Sequence, residues 1–132
     1  MVVTGLLLDT HALFWALAAP DRLTPAARER IEEPTEALVV SAASAWEIAI
    51  KHRSGRWPEA APFADRLTDH AARLGAAWLT IDAPDALRAG GLAWDHADPF
   101  DRMLAAQALG RDLTLVTRDR AFDDLPGLRT LW

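Results

Sequence analysis

The segment Val2 to Leu8 is a continuous apolar run, broken only by Thr4 and Gly5, and it stops at Asp9. A run that does not alternate with polar residues has no water-facing side. As a strand it must be covered on both faces, which is the condition of a parallel sheet. Thr10 to Ala18 then carries Leu13, Phe14 and Leu17 at helical spacing until Pro20 ends it. The acid between strand and helix falls at the strand's carboxyl end, where open α/β sheets hold their ligands. Helix capping is the structural alternative for Asp9.

The same order recurs along the chain. Thr24 caps a mostly exposed helix from Pro25 to Glu33, which Pro34 terminates; Ala37 to Val40 is a second short buried strand, and Ser41 to Arg53 a helix with Trp46, Ile48, Ala49 and Ile50 among its apolar positions. Glu47, about one turn into that helix, either faces solvent or reaches the same sheet edge as Asp9. Pro62 to Gly75 reads as a helix with Phe63, Leu67 and Leu74 inward, Trp78 to Ile81 as a third strand, and Pro84 to Ala89 as a short helix ended by Gly90 and Gly91. Leu113 to Thr117 is a further strand leading into Arg118 and Asp119, followed by a tight turn or short helix to Phe122 and an edge strand from Leu128 to Trp132. Alternating strands and helices give the α/β class with a mainly parallel sheet and helices on both faces. Trp15, Trp46, Trp78 and Trp94 sit in apolar company and are expected in the core.

The densest signal is HADPFDRMLAAQAL, His96 to Leu109. Asp98 fits an N-cap and Pro99 the first helical position, where no N–H is needed. Asp101 shares that first turn, Phe100, Met103, Leu104 and Ala108 supply an apolar stripe, and Gly110 is the stop signal. Two acids at a helix start also suit the macrodipole alone, so the remaining acids decide their meaning. Asp9, Glu47, Asp101 and Asp119 each accompany a strand–helix junction, and in a parallel sheet these junctions share one edge. Carboxylates gathered in one pocket repel and raise one another's pKa, an arrangement that makes sense when a divalent cation compensates them.

Composition narrows the chemistry. The 132 residues, 51% of them hydrophobic, suit one domain spanning 1–132 with a single sizeable core. The absence of Cys excludes disulfides and thiolate metal sites, leaving oxygen and imidazole ligands that suit Mg²⁺ or Mn²⁺. His11, His52, His70 and His96 show no zinc-type spacing. No signal peptide or membrane span is indicated, so the cytoplasm is the expected location. A net charge of -5 argues against non-specific coating of nucleic acid, but not against a nuclease whose acids cluster at a metal. Lys51, Arg53 and Arg56, with Trp57 behind them, form the densest basic patch: either a helix C-terminal cap or phosphate contacts for a substrate.

Four segments in order resemble the PIN-domain ribonucleases, and within them the VapC toxins of toxin–antitoxin pairs. They are LLLDTHALFWAL with Asp9, SAASAWEIAIK with Glu47, DPFDRMLAAQA with Asp101 and TLVTRDRAF with Asp119. The resemblance covers essentially the whole chain. It implies a three-layer α/β/α fold, homodimers, Mg²⁺ or Mn²⁺ dependence, cleavage of RNA, and inhibition by a VapB-type antitoxin. On that pattern Asp9 and Asp101 are expected as direct metal ligands, with Glu47 and Asp119 completing the catalytic set directly or through water. One or two ions fit equally. The third acid is open between Asp98 and Asp101; the run AAQA aligns better on Asp101 and leaves Asp98 the cap, with a supporting place in the metal site as an alternative. The alternative function is a catalytically silent PIN-like module that binds RNA or a partner, against which the presence of all four acids argues.

Overall fold

Leu6, Leu7 and Leu8 form β1 (Leu6–Leu8), and none of the three exposes any surface. The structure, a computed structural model, describes residues 5–132; the expected start of this strand at Val2 to Thr4 lies outside them. Parallel partners flank β1 on both sides: β2 (Leu38–Ser41) pairs Leu7 with Val39, and β4 (Thr114–Val116) pairs Leu7 with Leu115. With β3 (Ala77–Leu79) outside β2 and β5 (Arg129–Leu131) outside β4, the sheet is wholly parallel in the order β3-β2-β1-β4-β5. The chain first steps from β1 to β3 in one direction and then jumps across β1 to β4, so the switch point lies at the end of β1.

Alternation along β1 divides the interior into two cores. Leu6 and Leu8, with Val40 and Val116, face the core closed by α1 (Thr10–Ala18), α2 (Pro25–Glu32), α3 (Ala42–Arg53), α4 (Ala61–Ala64) and α5 (Leu67–Leu74). Leu7 and Leu115 face the other, closed by α7 (Pro99–Arg111) through Leu104, Ala105 and Ala108 and by Phe122 and Leu125. The preceding helix, α6 (Ala83–Gly91), packs mainly on α7. This is the three-layer α/β/α arrangement expected from the sequence.

Several expected boundaries are corrected. The helix expected over 62–75 is split, because Arg66 leaves helical geometry at φ -129°, ψ 34°. The break lets Leu67 and Ala71 enter the first core while Phe63 packs edge-on against Phe14 and His70. Neither glycine stop operates. α6 runs through Gly90 and Gly91, and the exposed carbonyls at its end are taken by Arg102. α7 passes Gly110 and ends at Asp112, left-handed at φ 54°, where Arg129 binds both the carboxylate and the carbonyl. Trp46 is not in the core: Ala43, Ser44, Glu47 and Ile48 form the inward face of α3, which turns Trp46 outward, 59% exposed, with its edge on Phe100. Trp15, Trp78 and Trp94 are half-buried against the two cores.

A buried polar strut ties α6 to α7 and the sheet. Asp85 accepts two bonds from Arg111, at 2.6 and 3.0 Å, and one from Gln107 at 3.1 Å; Gln107 in turn accepts from Ser41 at 2.6 Å, the residue that caps α3. The hydrogen bonds from Arg111 are the main force holding the Asp85 carboxyl down at about 2. Asp85→Ala leaves Arg111 and Gln107 without their acceptor, so unfolding in urea is expected to show a loss of about 2–3 kcal/mol. Asp85→Ala/Arg111→Met should recover part of it. An unchanged midpoint in the single variant would remove the strut from the stability of the fold.

Candidate active site

All four sequence-expected acids stand at the carboxyl edge of the sheet, each on a different element. Asp9 ends β1 and caps α1, its Oδ1 accepting from Ala12 N at 2.7 Å, while its own N–H donates to Val116 at the end of β4. Thr10 donates to Ser44 at 3.0 Å, a buried bond that pins α1 to α3 directly beneath Asp9. Glu47 is buried at 5% exposure on α3, which resolves its two sequence readings in favour of the sheet edge. Asp119 follows β4, caps the 3₁₀ turn Arg120–Asp124 through Ala121 N, and is exposed at the rim. Asp101 arrives by another route. α7 runs back into β4, so the start of this helix, rather than its end, lies at the edge that receives β1.

Two of these carboxylates are held out of water without matching compensation. Burial pushes Asp9 up to about 6, against the opposing hydrogen bonds from Thr117 and Ala12, and the charges of Glu47 and Asp119 push it the same way. Burial likewise lifts Asp101 to about 6; the His96 bond opposes this, while Asp98 and Glu47 add to it. Glu47 is therefore felt by both raised acids. Its own partner is Lys51, one helical turn on, at 2.7 Å. Lys51 is thus committed to the acid cluster, whereas Arg53 is exposed at the end of α3 and exposed Arg56 binds Ser54. His11, beside the cluster and exposed except where its ring lies on Trp57, is lowered by that partial desolvation and by Lys51.

His96 is the functional-site residue that sequence reasoning passed over. Its Nε2 lies 2.7 Å from Asp101 Oδ2, and its ring stacks on Trp94 at 4.7 Å between centroids. Arg102 holds this approach in place by donating to the carbonyls of Ala89, Gly90, Leu92, Trp94 and His96 at 2.7–3.4 Å. With Asp98 and Asp101, His96 makes a group whose ligand atoms lie within 4.8 Å of one another. Asp98 Oδ1 is engaged by Phe100 N and Asp101 N, the cap expected of it. The one sequence signal for His96 was its place five residues before Asp101 across a proline-started helix, and that spacing matches no metal motif.

The PIN domain pattern matches residues 6–128. This chain belongs to the PIN-domain family. Ribonuclease VapC22 of Mycobacterium tuberculosis is 33% identical over 121 residues, covering 89% of each chain. The structure of VapBC2 from Rickettsia felis, bound to a DNA fragment from its promoter, superposes with a TM-score of 0.72 at 17% identity, over 96% of this chain and 98% of that one. DNA-bound VapBC from Salmonella typhimurium gives 0.67 at 24% identity, over 97% of both chains. The PIN match takes in β1 to β4 and every helix, and PIN domains are metal-dependent nucleases.

The raised acids fix a pH dependence. Between about pH 4 and 6 the folded state binds more protons at Asp9 and Asp101 than the unfolded chain does, so stability falls as pH rises through this window. Metal-free protein should therefore melt at a lower temperature at pH 7 than at pH 5. Asp9→Asn, which removes one buried charge, should raise stability at pH 7 by about 1–3 kcal/mol and flatten the dependence. Melting curves in EDTA across this range check it; greater wild-type stability at pH 7 than at pH 5 would contradict the assignment.

Proposed function

We propose that this PIN domain, the whole of 1–132, is the ribonuclease toxin of a type II toxin–antitoxin pair, acting on RNA in the cytoplasm. The observation that carries the reading is the run of acids at the carboxyl edge of the sheet, where Asp9 is buried, raised and beside Glu47 and Asp119, and Asp101 is buried, raised and beside Glu47 and Asp98. RNA as the substrate is supported by the name of the VapC22 relative. A VapB-type antitoxin is supported by the VapBC complexes sharing the fold, and a homodimer by the family resemblance. No helix among the described residues is long and apolar enough to cross a membrane.

The residues present fit a divalent ion. The donors are carboxylates with the imidazoles of His96 and His11 nearby and no thiolate, a hard set, and the raised Asp9 and Asp101 are the groups a cation would restore to their ionised form. Asp9 and Asp101 are assigned as direct ligands of Mg²⁺ or Mn²⁺, with Glu47 and Asp119 completing the set directly or through water. A bound ion of this kind polarises a phosphate oxygen and lowers the pKa of an attacking water. The chain's own part is positional. His96 occupies Asp101 Oδ2 and thereby orients that carboxylate, Lys51 offsets the charge of Glu47 before any ion binds, and Asp98 keeps the start of α7 closed. Of the basic patch, exposed Arg53 and Arg56 remain available for RNA phosphates, while Lys51 would have to leave Glu47 to reach one.

Purified protein is expected to cut a single-stranded or looped RNA with Mg²⁺ or Mn²⁺ and to stop in excess EDTA. Asp9→Asn and Asp101→Asn should each lower the rate by about 100-fold or more, on the scale of losing an electrostatic group that acts at the transition state. Asp98→Asn, which can still cap the helix, should lose far less. Undiminished cleavage in EDTA defeats the metal reading, and a dead Asp98→Asn beside an active Asp101→Asn would exchange the roles of those two acids.

A further inference from the structure

One part of the site is used by neither the acids nor the helix caps, namely the aromatic face of α1. His11 is exposed, two residues beyond Asp9, and its ring stacks on Trp57 at 4.8 Å and 28°. Trp57 is a fixed floor: it is only 8% exposed, Phe14 meets it edge-on at 5.0 Å, and Lys51 Nζ lies 5.7 Å from its ring centre. Trp15 adjoins His11 at 5.6 Å, is backed by Trp132, and carries the Arg118 guanidinium 5.9 Å from its ring centre. His11 and Trp15 line two concavities at once. One, of about 430 Å³, also contains Asp9, Asp119, Arg118 and Arg120; the other, of about 450 Å³, contains Trp57, Arg22 and Glu59. The acid pocket thus continues into an aromatic groove with arginines at both ends.

We propose that the His11–Trp15 shelf is a nucleobase-stacking subsite for single-stranded RNA. It seats the base next to the phosphate that meets Asp9 and Asp119, with Arg118 and Arg22 on the flanking phosphates. The proposal rests on the ribonuclease reading above. The His11 ring, fixed from behind by Trp57 and exposed in front, suits the π-face of any base, Trp15 with Arg118 over its ring walls the same shelf, and cations spaced along the groove suit the backbone that joins the bases. A peptide would use the aromatic surface equally well, but it would not call for arginines at both ends of a groove that opens onto a phosphodiester-cleaving site. The subsite also gives an acidic protein a local hold on a polyanion through stacking, which net charge does not oppose.

The test uses the Mn²⁺-loaded protein and a labelled oligoribonucleotide, alongside a series in which one position at a time is abasic. His11→Ala should raise KM by about 5- to 100-fold, the range of losing one base stack, and change kcat less. His11→Phe, which restores a flat ring, should recover most of the loss. An abasic residue at the position seated on the shelf should raise the wild-type KM similarly and add little in His11→Ala. Arg118→Gln and Arg22→Gln should weaken intact and abasic strands alike. The subsite is overturned if His11→Ala leaves KM unchanged, including the case where it weakens only antitoxin binding. It is also overturned if the effect is the same on every abasic strand, or if phenylalanine does not rescue. A wild type that cuts no RNA overturns the ribonuclease reading and the subsite with it, whereas a wild type that cuts while His11→Ala matches it removes the subsite alone.

Discussion

The repulsion among carboxylates gathered at the dry end of β1 is the constraint from which the surrounding structure follows. Asp9 and Asp101 both sit well above the ordinary carboxylate range because the fold withdraws them from water and sets Glu47 within reach of each. Nothing in the packing of the two cores calls for such an arrangement. It is tolerated because the acids are tied locally: Asp9, Asp98 and Asp119 accept backbone N–H groups at the start of a helical turn, while Glu47 is paired with Lys51 and Asp101 with His96. Those caps cover helix starts that would otherwise leave donors unsatisfied, so the acids are fixed in place by local structure that forms with or without a ligand.

The supports of the site are of two kinds. Beneath Asp9, the Thr10–Ser44 bond and the main-chain link to Val116 join three elements at one point, so the position of β1 relative to α3 and β4 is set by groups with no water to compete for. Around Asp101 the support is a loop instead. The stretch from Leu92 to Asp98 has no regular structure; Leu92 and Trp94 pack on the second core, and Arg102 fixes its main chain through the carbonyls of Leu92, Trp94 and His96.

Much of this was legible in the sequence, for reasons that can be assigned. The apolar run of β1 and its neighbours implied a sheet covered on both faces, so the fold class was readable without coordinates; Asp9, Glu47 and Asp119 lie after strands as expected, whereas Asp101 does not follow a strand–helix junction, because α7 is preceded by α6 and an irregular loop. Strand order was not, because short all-apolar strands carry no information about which neighbour they choose. The glycine stops failed because helix ends were satisfied from a distance, by Arg102 at α6 and by Arg129 at Asp112, partners that lie 12 and 17 residues away from the carbonyl and the carboxylate they hold. Trp46 was misplaced because Glu47 took the inward position on α3, which turns Trp46 to the surface. His96 and the Asp85–Arg111 strut were missed since each draws its meaning from contacts across the fold.

Arg102 has a consequence for how the site responds to its medium. Its guanidinium is bound by main-chain carbonyls rather than by an anion, so the attraction holding the loop is between a charge and oriented dipoles at contact distance. Mobile ions screen such contacts far less than they screen exposed pairs such as Arg28–Glu32 and Arg66–Asp69. The loop that carries His96 to Asp101 is therefore held nearly as firmly in concentrated electrolyte as in dilute buffer, and the geometry around that acid is decoupled from the ionic strength that governs the protein's outer charges.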